Sequence, residues 1–395
     1  MRVAFSVFGG TGWTGGINYL RNLLSAVAEL PGKPIEPVLF IAPETSPESV
    51  AMLTPFLTQP PVIVEGWSSR KWSRLQRLAG SSLLQRDFVS EAAFRREGVD
   101  VVFQHAAWYG LLFGLPTLAW IADFQHKHLP HMFSKSNNIK RDLGYWALSH
   151  SATQVMLSSQ DALRDCEHFF PRTRGKTAVL PFCVQLPSRT QTIAPEELRA
   201  LYQLPERYFY LPNQLWKHKN HLAVIEALRI LKLRHPNLVV VATGNPADAR
   251  NPAHPQTVLD KVQEYGLASN FRFLGLVPYA HIMPLMRGAL AVVNPSLFEG
   301  WSTTVEEAKA MGVPLLLSNI GVHLEQATAN ASFFDPFQPE SIADCLGSFW
   351  NQYDPTHRAA TEQQAFNAYS QKRIEFAQQF FDIASKTAMQ AKGKS

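Results

Sequence analysis

The interpretation of this chain starts from residues 294–314, which read NPSLFEGWSTTVEEAKAMGVP. A short apolar run typical of a strand precedes them, so residues 294–302 are expected to form the loop that follows. Thr303 or Thr304 can cap a helix running to about Met311, because a threonine hydroxyl accepts hydrogen bonds from free N–H groups at a helix start. The pattern predicts a strand, a glycine-containing turn and a helix in immediate succession.

Two carboxylates lie at defined places in this unit: Glu299 at the mouth of the strand and Glu307 about one turn into the helix. Parallel α/β sheets bind ligands at the carboxyl ends of their strands, and helix starts attract phosphate. An ionised carboxylate accepts hydrogen bonds from paired hydroxyls. The segment therefore predicts a site for a polyhydroxylated, phosphorylated ligand. The alternative is that Glu306 and Glu307 only favour the first helical turn through the helix dipole.

Composition limits the class of protein. With 395 residues, 46% of them hydrophobic, the chain is long enough for two domains with separate cores. Its net charge of +5 is not gathered in a basic tail, so it favours anionic ligands or a membrane surface over nucleic acid. Three cysteines without Cys-x-x-Cys spacing indicate neither disulfides nor a zinc site, and the reduced cytoplasm is the expected location. The first eight residues are too short for a signal peptide, and no apolar run reaches about 18 residues.

Short apolar runs alternate with helical patterns along both halves, which is typical of doubly wound parallel sheets. The predicted strands are residues 3–8, 37–41, 62–64, 99–104, 117–121, 154–157, 208–212, 238–243, 271–274, 289–293 and 314–318. We expect two Rossmann-like domains facing a cleft. The predicted boundaries are 1–187 for the first domain, 188–204 for a polar linker, 205–372 for the second domain and 373–395 for a terminal helix.

The stretch 294–314 resembles the Glu-x7-Glu element of retaining glycosyltransferases of the GT-B fold, particularly family 4. The matching residues are Pro295, Ser296, Glu299, Gly300, Glu307, Ala308, Gly312 and Pro314. The resemblance implies that Glu299 holds the donor sugar and Glu307 the nucleotide ribose. It also implies that 1–187 is the acceptor-side domain, that 205–372 is the nucleotide-sugar domain and that the terminal helix 373–395 returns to the first domain. The departures are Trp301, Ser302 and Thr304, which leave the carboxylate spacing intact but change the residues that shape the sugar pocket.

A glycine loop follows the first predicted strand and precedes a helix expected over residues 17–30. The family 4 resemblance implies that Gly15 and Gly16 lie close to the donor phosphates. The same loop, written from Gly10, also reads Gly-x-Gly-x-x-Gly through Gly12 and Gly15, as in nicotinamide-dependent sugar oxidoreductases and epimerases. No acidic residue ends the second strand and no Tyr-x-x-x-Lys pair occurs in the chain, so this alternative is the weaker one.

A basic turn follows the strand predicted at 208–212. It resembles the family 4 segment whose Arg and Lys neutralise the leaving diphosphate, and Lys219-Asn220 match its second half. The Arg position falls on Asn213 or Gln214, so Lys217 or another residue is expected to share that charge. His218 and His221 are metal ligands by type only, since no third ligand has suitable spacing.

The strand predicted at 117–121 ends in a polar cluster. Relatives often carry His-Asp there, and the resemblance implies that Asp123 orients the donor sugar and His126 contacts it. Asp123, His126, Lys219 and Glu299 are thus the predicted catalytic residues. The residues predicted to bind the nucleotide sugar are Gly15, Gly16, Asn213, Gln214, Lys217, Gly244, Val277, Gly300, Trp301, Ser302, Thr303 and Glu307.

The resemblance implies transfer of a hexose-type sugar from a GDP- or UDP-sugar, with retained configuration, to a hydroxyl of a glycan or lipid-linked acceptor. The expected setting is synthesis of bacterial-type surface polysaccharide or glycoconjugate. No metal, no further cofactor and no nucleic-acid partner are expected. No carboxylate is an obvious nucleophile, so the working hypothesis is departure and attack on one face of the sugar. A catalytically silent sugar-nucleotide binding protein remains a third possibility. Residues 70–78 mix basic and apolar positions, which is consistent with peripheral contact with the inner face of the membrane, and an ordinary exposed helix explains the pattern equally well.

Overall fold

The computed structural model of the protein describes residues 1–9, 14–70, 75, 77, 79–105, 107–185, 193–327, 329–356 and 358–392. The chain divides into two compact units. The first comprises Met1–Phe124, Lys135–Gln185 and Gln371–Ser395, and the second comprises Gln125–Ser134 and Leu186–Ser370.

The first unit is built on a seven-stranded parallel sheet in the order β3-β2-β1-β4-β5-β6-β7. Its strands are β1 Arg2–Ser6, β2 Glu36–Ile41, β3 Val62–Ile63, β4 Val101–Gln104, β5 Thr117–Ile121, β6 Gln154–Leu157 and β7 Thr177–Val179. The helices described in this half of the chain are α1 Thr14–Ala28, α2 Pro47–Leu53, α3 Phe88–Arg96, α4 Gln125–His128, α5 Lys135–Ser151 and α6 Gln160–Phe169.

The second unit is built on a six-stranded parallel sheet in the order β10-β9-β8-β11-β12-β13. Its strands are β8 Phe209–Leu211, β9 Val240–Ala242, β10 Phe271–Phe273, β11 Val292–Asn294, β12 Leu315–Ser318 and β13 Ala331–Phe334. The helices are α7 Pro195–Tyr202, α8 His221–Leu231, α9 His254–Glu264, α10 Tyr279–Gly288, α11 Thr303–Ala310, α12 Gly321–Gln326, α13 Pro339–Gln352 and α14 Arg358–Lys392.

Helices cover parallel sheets on both faces, which is why the central strands are apolar along their length rather than alternating. Strands β5 and β8 are buried at every position. In the second unit one core cluster includes Phe209 and Leu228, and another includes Tyr210 and Val305. The two clusters draw alternate residues of β8, as expected when successive side chains point to opposite faces.

The last helix, α14, contributes to both units: residues up to Ser370 cluster with the second unit and residues from Gln371 with the first. Its Arg373 is buried and donates to the Val184 carbonyl at 3.0 Å, to Ser25 Oγ at 3.2 Å and to Glu29 Oε1 at 2.6 Å. These three bonds anchor the last part of α14 within the first unit.

The predicted fold class is confirmed, because both halves form Rossmann-like parallel sheets. Two strands were not predicted, β7 and β13. The terminal helix was predicted from residue 373 but begins at Arg358. The predicted cap was wrong by one residue or more: Ser302 is the N-cap of α11, because its hydroxyl accepts the Val305 N–H at 3.4 Å. The domain boundaries drawn from the sequence stay predictions.

Candidate functional site

Two loops meet at the carboxyl end of the second sheet. One follows β8 and contains a 3₁₀ turn at Lys217–Lys219, and the other joins β11 to α11. The Leu297 N–H donates to the His218 carbonyl at 2.8 Å, which ties the two backbones together. Asn220 ends the turn in the left-handed conformation with φ of 58° and donates from Nδ2 to the Pro336 carbonyl at 2.8 Å. This bond fixes the turn from its other side.

Lys219 and Glu299, eighty residues apart in the chain, form an ion pair with 2.5 Å between Nζ and Oε1. Their side chains are only 15% and 10% exposed, so water screens the pair less than it screens a surface salt bridge. A charge-assisted hydrogen bond of this kind is stronger than one between neutral groups. The structure thus brings two of the predicted catalytic residues into direct contact.

A network of polar side chains holds the carboxylate of Glu299 in place. Ser296 Oγ lies 2.7 Å from both Glu299 Oε1 and Asn294 Oδ1, and its single proton is shared between these acceptors. Asn294 also accepts from Asn213 Nδ2 at 3.2 Å and donates to Ser302 Oγ at 2.9 Å. The network therefore connects β11, the loop after β8 and the start of α11 in one buried set of bonds.

Gly244, at the end of β9, allows a close approach of two backbones. A Cβ at this position would lie 2.6 Å from the Asn213 carbonyl oxygen and 2.7 Å from Gln214 Cα. Its φ of 151° is also rare for residues with a side chain. The predicted nucleotide-binding residues Asn213, Gln214 and Gly244 are therefore neighbours.

The two glutamates of α11 have different surroundings. Glu306 is fully buried and accepts from Lys309 Nζ at 2.9 Å, Gln326 Nε2 at 3.0 Å and Tyr369 OH at 3.3 Å. Glu307 is 6% exposed, and its charge adds to the effect of burial in raising the pKa of Tyr210 on β8. Glu306 is thus bound into the interior by hydrogen bonds, whereas the charge of Glu307 lies close enough to Tyr210 to act on its hydroxyl.

Gln326, the last residue of α12, holds the loop that carries Glu299. Its side-chain amide accepts from the Ser302 N–H at 3.1 Å and donates to the Ser302 carbonyl at 2.8 Å. Ser302 was predicted to bind the nucleotide sugar. Its N–H is engaged by Gln326 and its hydroxyl by the N-cap bond and Asn294, so its ligand role stays a prediction.

His323 lies one helical turn before Gln326 and is completely buried. Its Nδ1 is 3.1 Å from the Ser318 carbonyl and 2.9 Å from Ser318 Oγ, and that hydroxyl donates to the Ser296 carbonyl at 2.7 Å. Nδ1 therefore carries the proton. Burial lowers the pKa of His323 to about 4, although the charge of Glu299 acts in the opposite direction. A neutral imidazole thus supports the loop at Ser296, while Gln326 supports it at Ser302.

Arg250 is a positive charge that sequence reasoning missed. Its Nη2 lies 3.4 Å from His218 Nδ1, and its guanidinium carbon lies 5.1 Å from the centre of the Trp216 ring. Burial lowers the pKa of His218, and the charges of Lys219 and Arg250 lower it further. Arg250 lies in an irregular loop after β9, where no hydrophobic periodicity distinguishes one residue from the next. The signal in the sequence was the missing family arginine at Asn213 or Gln214, which implied a cation elsewhere.

The remaining predicted nucleotide-binding residues of the second unit are spread around this site. Lys217 is exposed and donates its backbone N–H to Asp248 Oδ2 at 3.1 Å. Gly300 and Trp301 follow Glu299 directly, and Lys309 Nζ lies 5.9 Å from the centre of the Trp301 ring. Thr303 is the first residue of α11, and Val277 packs in the apolar core.

His126 lies on α4, in the short segment Gln125–Ser134 that clusters with the second unit. It is 2% exposed. In the same segment the His128 ring stacks on Phe298, the neighbour of Glu299, with 5.1 Å between ring centres. The segment thus reaches the loop that carries Glu299, and a substrate contact by His126 stays a prediction.

Asp123, Gly15 and Gly16 belong to the first unit. Asp123 Oδ1 accepts from Arg141 Nη2 at 2.8 Å, and its carbonyl accepts from Tyr145 OH at 3.0 Å. Gly15 and Gly16 lie in the first turn of α1, one exposed and one buried. Gly10 and Gly12, on which the nicotinamide alternative depends, lie outside the described residues. No group of three or more His, Cys, Asp or Glu that could hold a metal ion occurs within the described ranges.

Comparison with known families supports a glycosyltransferase. Residues 198–368 match the family described as glycosyl transferases group 1. This region contains Lys219, Glu299 and Glu307, whereas the predicted catalytic residues Asp123 and His126 lie outside it. The match supports assignment to group 1, and it covers most of the second unit.

Curated relatives and solved structures point in the same direction. The chain is 26% identical over 210 residues to a D-inositol 3-phosphate glycosyltransferase of Corynebacterium glutamicum, covering 51% of this chain and half of that enzyme's length. It is 23% identical to the corresponding enzyme of Corynebacterium urealyticum, over 68% of this chain and 70% of that one. The structure of HepE from Anabaena, in complex with UDP and glucose, aligns with a TM-score of 0.70 at 15% identity, over 98% of this chain and all of HepE. The fold is therefore GT-B.

Proposed function

We propose that this protein is a retaining glycosyltransferase of family 4. It transfers a hexose-type sugar from a nucleotide-diphosphate donor to a hydroxyl of a glycan or lipid-linked acceptor, in the synthesis of surface polysaccharide or glycoconjugate. The observation that carries the proposal is the largely buried ion pair between Lys219 and Glu299, at the carboxyl end of a parallel sheet. Glu307 lies about one turn into the adjoining helix, in keeping with a role at the nucleotide ribose.

In the ion pair, Glu299 and Lys219 each keep hydrogen-bonding groups for a different part of the donor. Within the described residues, both bonds to the Glu299 carboxylate fall on Oε1. Oε2 is then the oxygen that accepts from the donor sugar's hydroxyls. The ammonium of Lys219 has three N–H groups, and Glu299 takes one of them. The others serve the diphosphate.

Negative charge grows on the diphosphate as the bond to the sugar breaks. Cations fixed in advance at that place lower the barrier, because they need no reorganisation as the charge appears. Lys219 is one such cation. Arg250, beside the Lys217–Lys219 turn, takes the part of the arginine that family 4 carries at the position of Asn213 or Gln214. The departing phosphate then accepts the proton of the attacking acceptor hydroxyl on the same face of the sugar.

The donor is a UDP- or GDP-sugar, and the proposal is tested by donor hydrolysis, which needs no acceptor. The purified protein is incubated with UDP-, GDP- and ADP-sugars, and release of nucleoside diphosphate is measured. We expect slow release from one class of donor. Proton NMR of the freed sugar, read before it equilibrates, should show the donor's own anomeric configuration. The inverted anomer would contradict the retaining mechanism.

Absence of turnover with every donor, together with tight nucleotide binding by calorimetry, would identify a silent binding protein instead. Binding of NAD without binding of any nucleoside diphosphate would overturn the proposal in favour of the nicotinamide alternative. The comparisons match glycosyltransferases.

A further inference from the structure

The positive charge of this chain is concentrated in one segment of the first unit. Residues 70–96 contain seven Lys or Arg and two Asp or Glu. The rest of the chain contains thirty Lys or Arg and thirty Asp or Glu. This segment therefore accounts for the whole net charge of +5. Of residues 70–78, for which membrane contact was predicted, residues 71–74, 76 and 78 lie outside the described residues. The five described cations of the segment are Arg70, Arg77, Arg86, Arg95 and Arg96, and an excess of positive charge on a surface attracts anionic partners.

The two acidic residues of the segment are used inside the protein. Asp87 is 1% exposed and caps α3 by accepting the Ser90 N–H at 3.0 Å. Glu91 is 3% exposed and accepts from Arg86 and Arg95 at 2.7 to 2.9 Å. The side chains of Arg95 and Arg96 are 53% and 67% exposed, and Arg96 pairs with the less exposed Glu97 at 3.4 Å. The exposed charge that α3 contributes is therefore mainly positive.

The same region exposes large apolar side chains to solvent. Leu83 is 80% exposed, Leu84 61% and Leu112 66%. Phe88 and Leu111 are about half exposed, and the Arg86 guanidinium lies 5.2 Å from the centre of the Phe88 ring. We name this set the leucine surface: Leu83, Leu84, Phe88, Leu111 and Leu112. Contiguous exposed apolar residues mark a place where another phase or molecule binds.

The leucine surface comes from two segments, residues 83–88 and residues 111–112, and backbone hydrogen bonds join them. The Leu112 N–H donates to the Gln85 carbonyl at 2.7 Å, and the Asp87 N–H donates to the Tyr109 carbonyl at 2.8 Å. Gly110, with φ of 92°, permits this pairing, because a Cβ there would lie 2.1 Å from the carbonyl carbon of Gln85. The backbone thus brings the exposed apolar side chains of both segments to one place.

We propose that the leucine surface docks on the anionic face of a lipid bilayer. Exposed leucines enter the boundary between headgroups and acyl chains, while the surrounding arginines bind lipid phosphates. The charge favours an anionic lipid, and Leu83, Leu84 and Leu112 are each more than 60% exposed, as side chains that enter a lipid surface must be. None of the helices in the described parts of the chain is long and apolar enough to cross a membrane, so the contact is made at the surface. The inference goes beyond the proposed function, since it concerns where the protein acts and not what it transfers.

The test is sedimentation with lipid vesicles. The full chain is mixed with vesicles of phosphatidylcholine and phosphatidylglycerol, or of phosphatidylcholine alone, at low and high sodium chloride. We expect binding to the anionic vesicles at low salt, and binding at least about tenfold weaker on neutral vesicles or at high salt. Leu84→Glu and Leu112→Glu should each lower the partition coefficient about tenfold or more, because a leucine side chain leaves the lipid and a negative charge is added.

Leu233→Glu is the matched control, because Leu233 is 93% exposed in the second unit and outside the leucine surface. It should bind vesicles like the unchanged protein. All three variants should retain the circular dichroism spectrum and the rate of donor hydrolysis, which separates this inference from the proposed function. Equal binding by all variants, or no binding to anionic vesicles, would overturn the inference. So would a dimer in gel filtration that Leu112→Glu dissociates without any vesicle binding.

Discussion

At the scale of single residues, the site depends on a charge pair that the sequence predicted only in its parts. Glu299 and Lys219 were each assigned a role through resemblance to family 4, one toward the sugar and one toward the diphosphate. Their contact at 2.5 Å could not be predicted, because eighty residues separate them and no local pattern encodes a tertiary contact. Arg250 was missed for a similar reason, since its place beside His218 arises only when two loops meet.

The two glutamates should fail in different ways when they are truncated. Glu299→Ala should lower kcat for donor hydrolysis about a hundredfold, because the sugar and Lys219 lose their partner in the transition state. Nucleotide affinity should change little. Glu307→Ala should weaken nucleotide binding about tenfold, the cost of one charged hydrogen bond. Calorimetry with UDP and GDP, beside hydrolysis kinetics, measures both effects.

Glu340→Ala is the control for this pair, since Glu340 is an exposed residue in the first turn of α13. It should leave both quantities unchanged. Negligible effects of both active-site variants would refute the assigned roles.

Buried histidines should make the protein less stable in mild acid. Burial lowers the pKa of His221 to about 3 and that of His323 to about 4. Between these values and about 6.5 the unfolded chain binds protons that the folded chain does not, so stability is full above pH 6.5 and is lost as the pH falls. Each histidine contributes a slope of at most about 1.4 kcal/mol per pH unit. Urea unfolding from pH 7 to pH 4.5 should show this loss.

His323→Gln should flatten the pH dependence, because glutamine can still donate near Ser318 but does not titrate. A profile as steep as that of the unchanged protein would show that His323 is not among the groups responsible. His235→Gln serves for comparison, since His235 is only partly buried.

At the scale of elements, α12 acts as a support for the loop before α11. His323 and Gln326 lie three residues apart on that short helix. Gln326 bonds directly to Ser302, whereas His323 contacts Ser318, whose hydroxyl donates to the Ser296 carbonyl. Both side chains are buried and polar, and both bond to backbone groups that would otherwise lose a partner.

Gln326→Leu should reduce catalysis more than nucleotide binding. The substitution keeps the volume but leaves the Ser302 N–H unpaired, at a cost of about 1 to 3 kcal/mol, while the Ser302 carbonyl keeps its bond from the Glu306 N–H at 3.1 Å. With its support removed, the loop holds Glu299 less firmly, so kcat for donor hydrolysis should fall about tenfold while UDP or GDP affinity stays within about threefold.

Asn270→Ala is the matched control, because Asn270 is a buried amide that donates to the Pro236 and Leu238 carbonyls at 2.9 Å. It should destabilise the second unit to a similar degree without changing kcat. Equal losses of kcat in both variants would show that Gln326 contributes only to the general stability of the second unit.

Most elements could be predicted, because long apolar runs followed by helical patterns are typical of parallel sheets. β13 was missed since Ser332 and Phe333 are exposed on an edge strand, so its sequence lacks a continuous buried run. The early start of α14 was missed for another reason. Residues 358–372 are rich in alanine and glutamine and have no clear cap, so nothing local marks where the helix begins.

At the scale of the whole molecule, α14 is one helix whose first part belongs to the second unit and whose last part belongs to the first. Arg373→Ala should lower the free energy of unfolding of the first unit by about 2 to 3 kcal/mol, because two buried acceptors, the Val184 carbonyl and Ser25 Oγ, and the half-exposed Glu29 carboxylate lose their donor. Thermal unfolding and limited proteolysis near residue 371 measure the effect. Arg234→Ala, at an exposed position, should leave both unchanged. An unaltered melting profile for Arg373→Ala would show that these bonds do not hold α14.

Phe380, on the last part of α14, is completely buried, with its ring centre 6.1 Å from that of Phe5 and 6.0 Å from that of Phe103. Phe5 and Phe103 are synthesised long before Phe380, so the first unit cannot complete its core until the last part of α14 has been made and released. Until then the nascent chain has an aromatic gap beside β1 and β4. A chain lacking residues from 371 onward would leave this gap open to chaperones, although it contains every residue of the second unit.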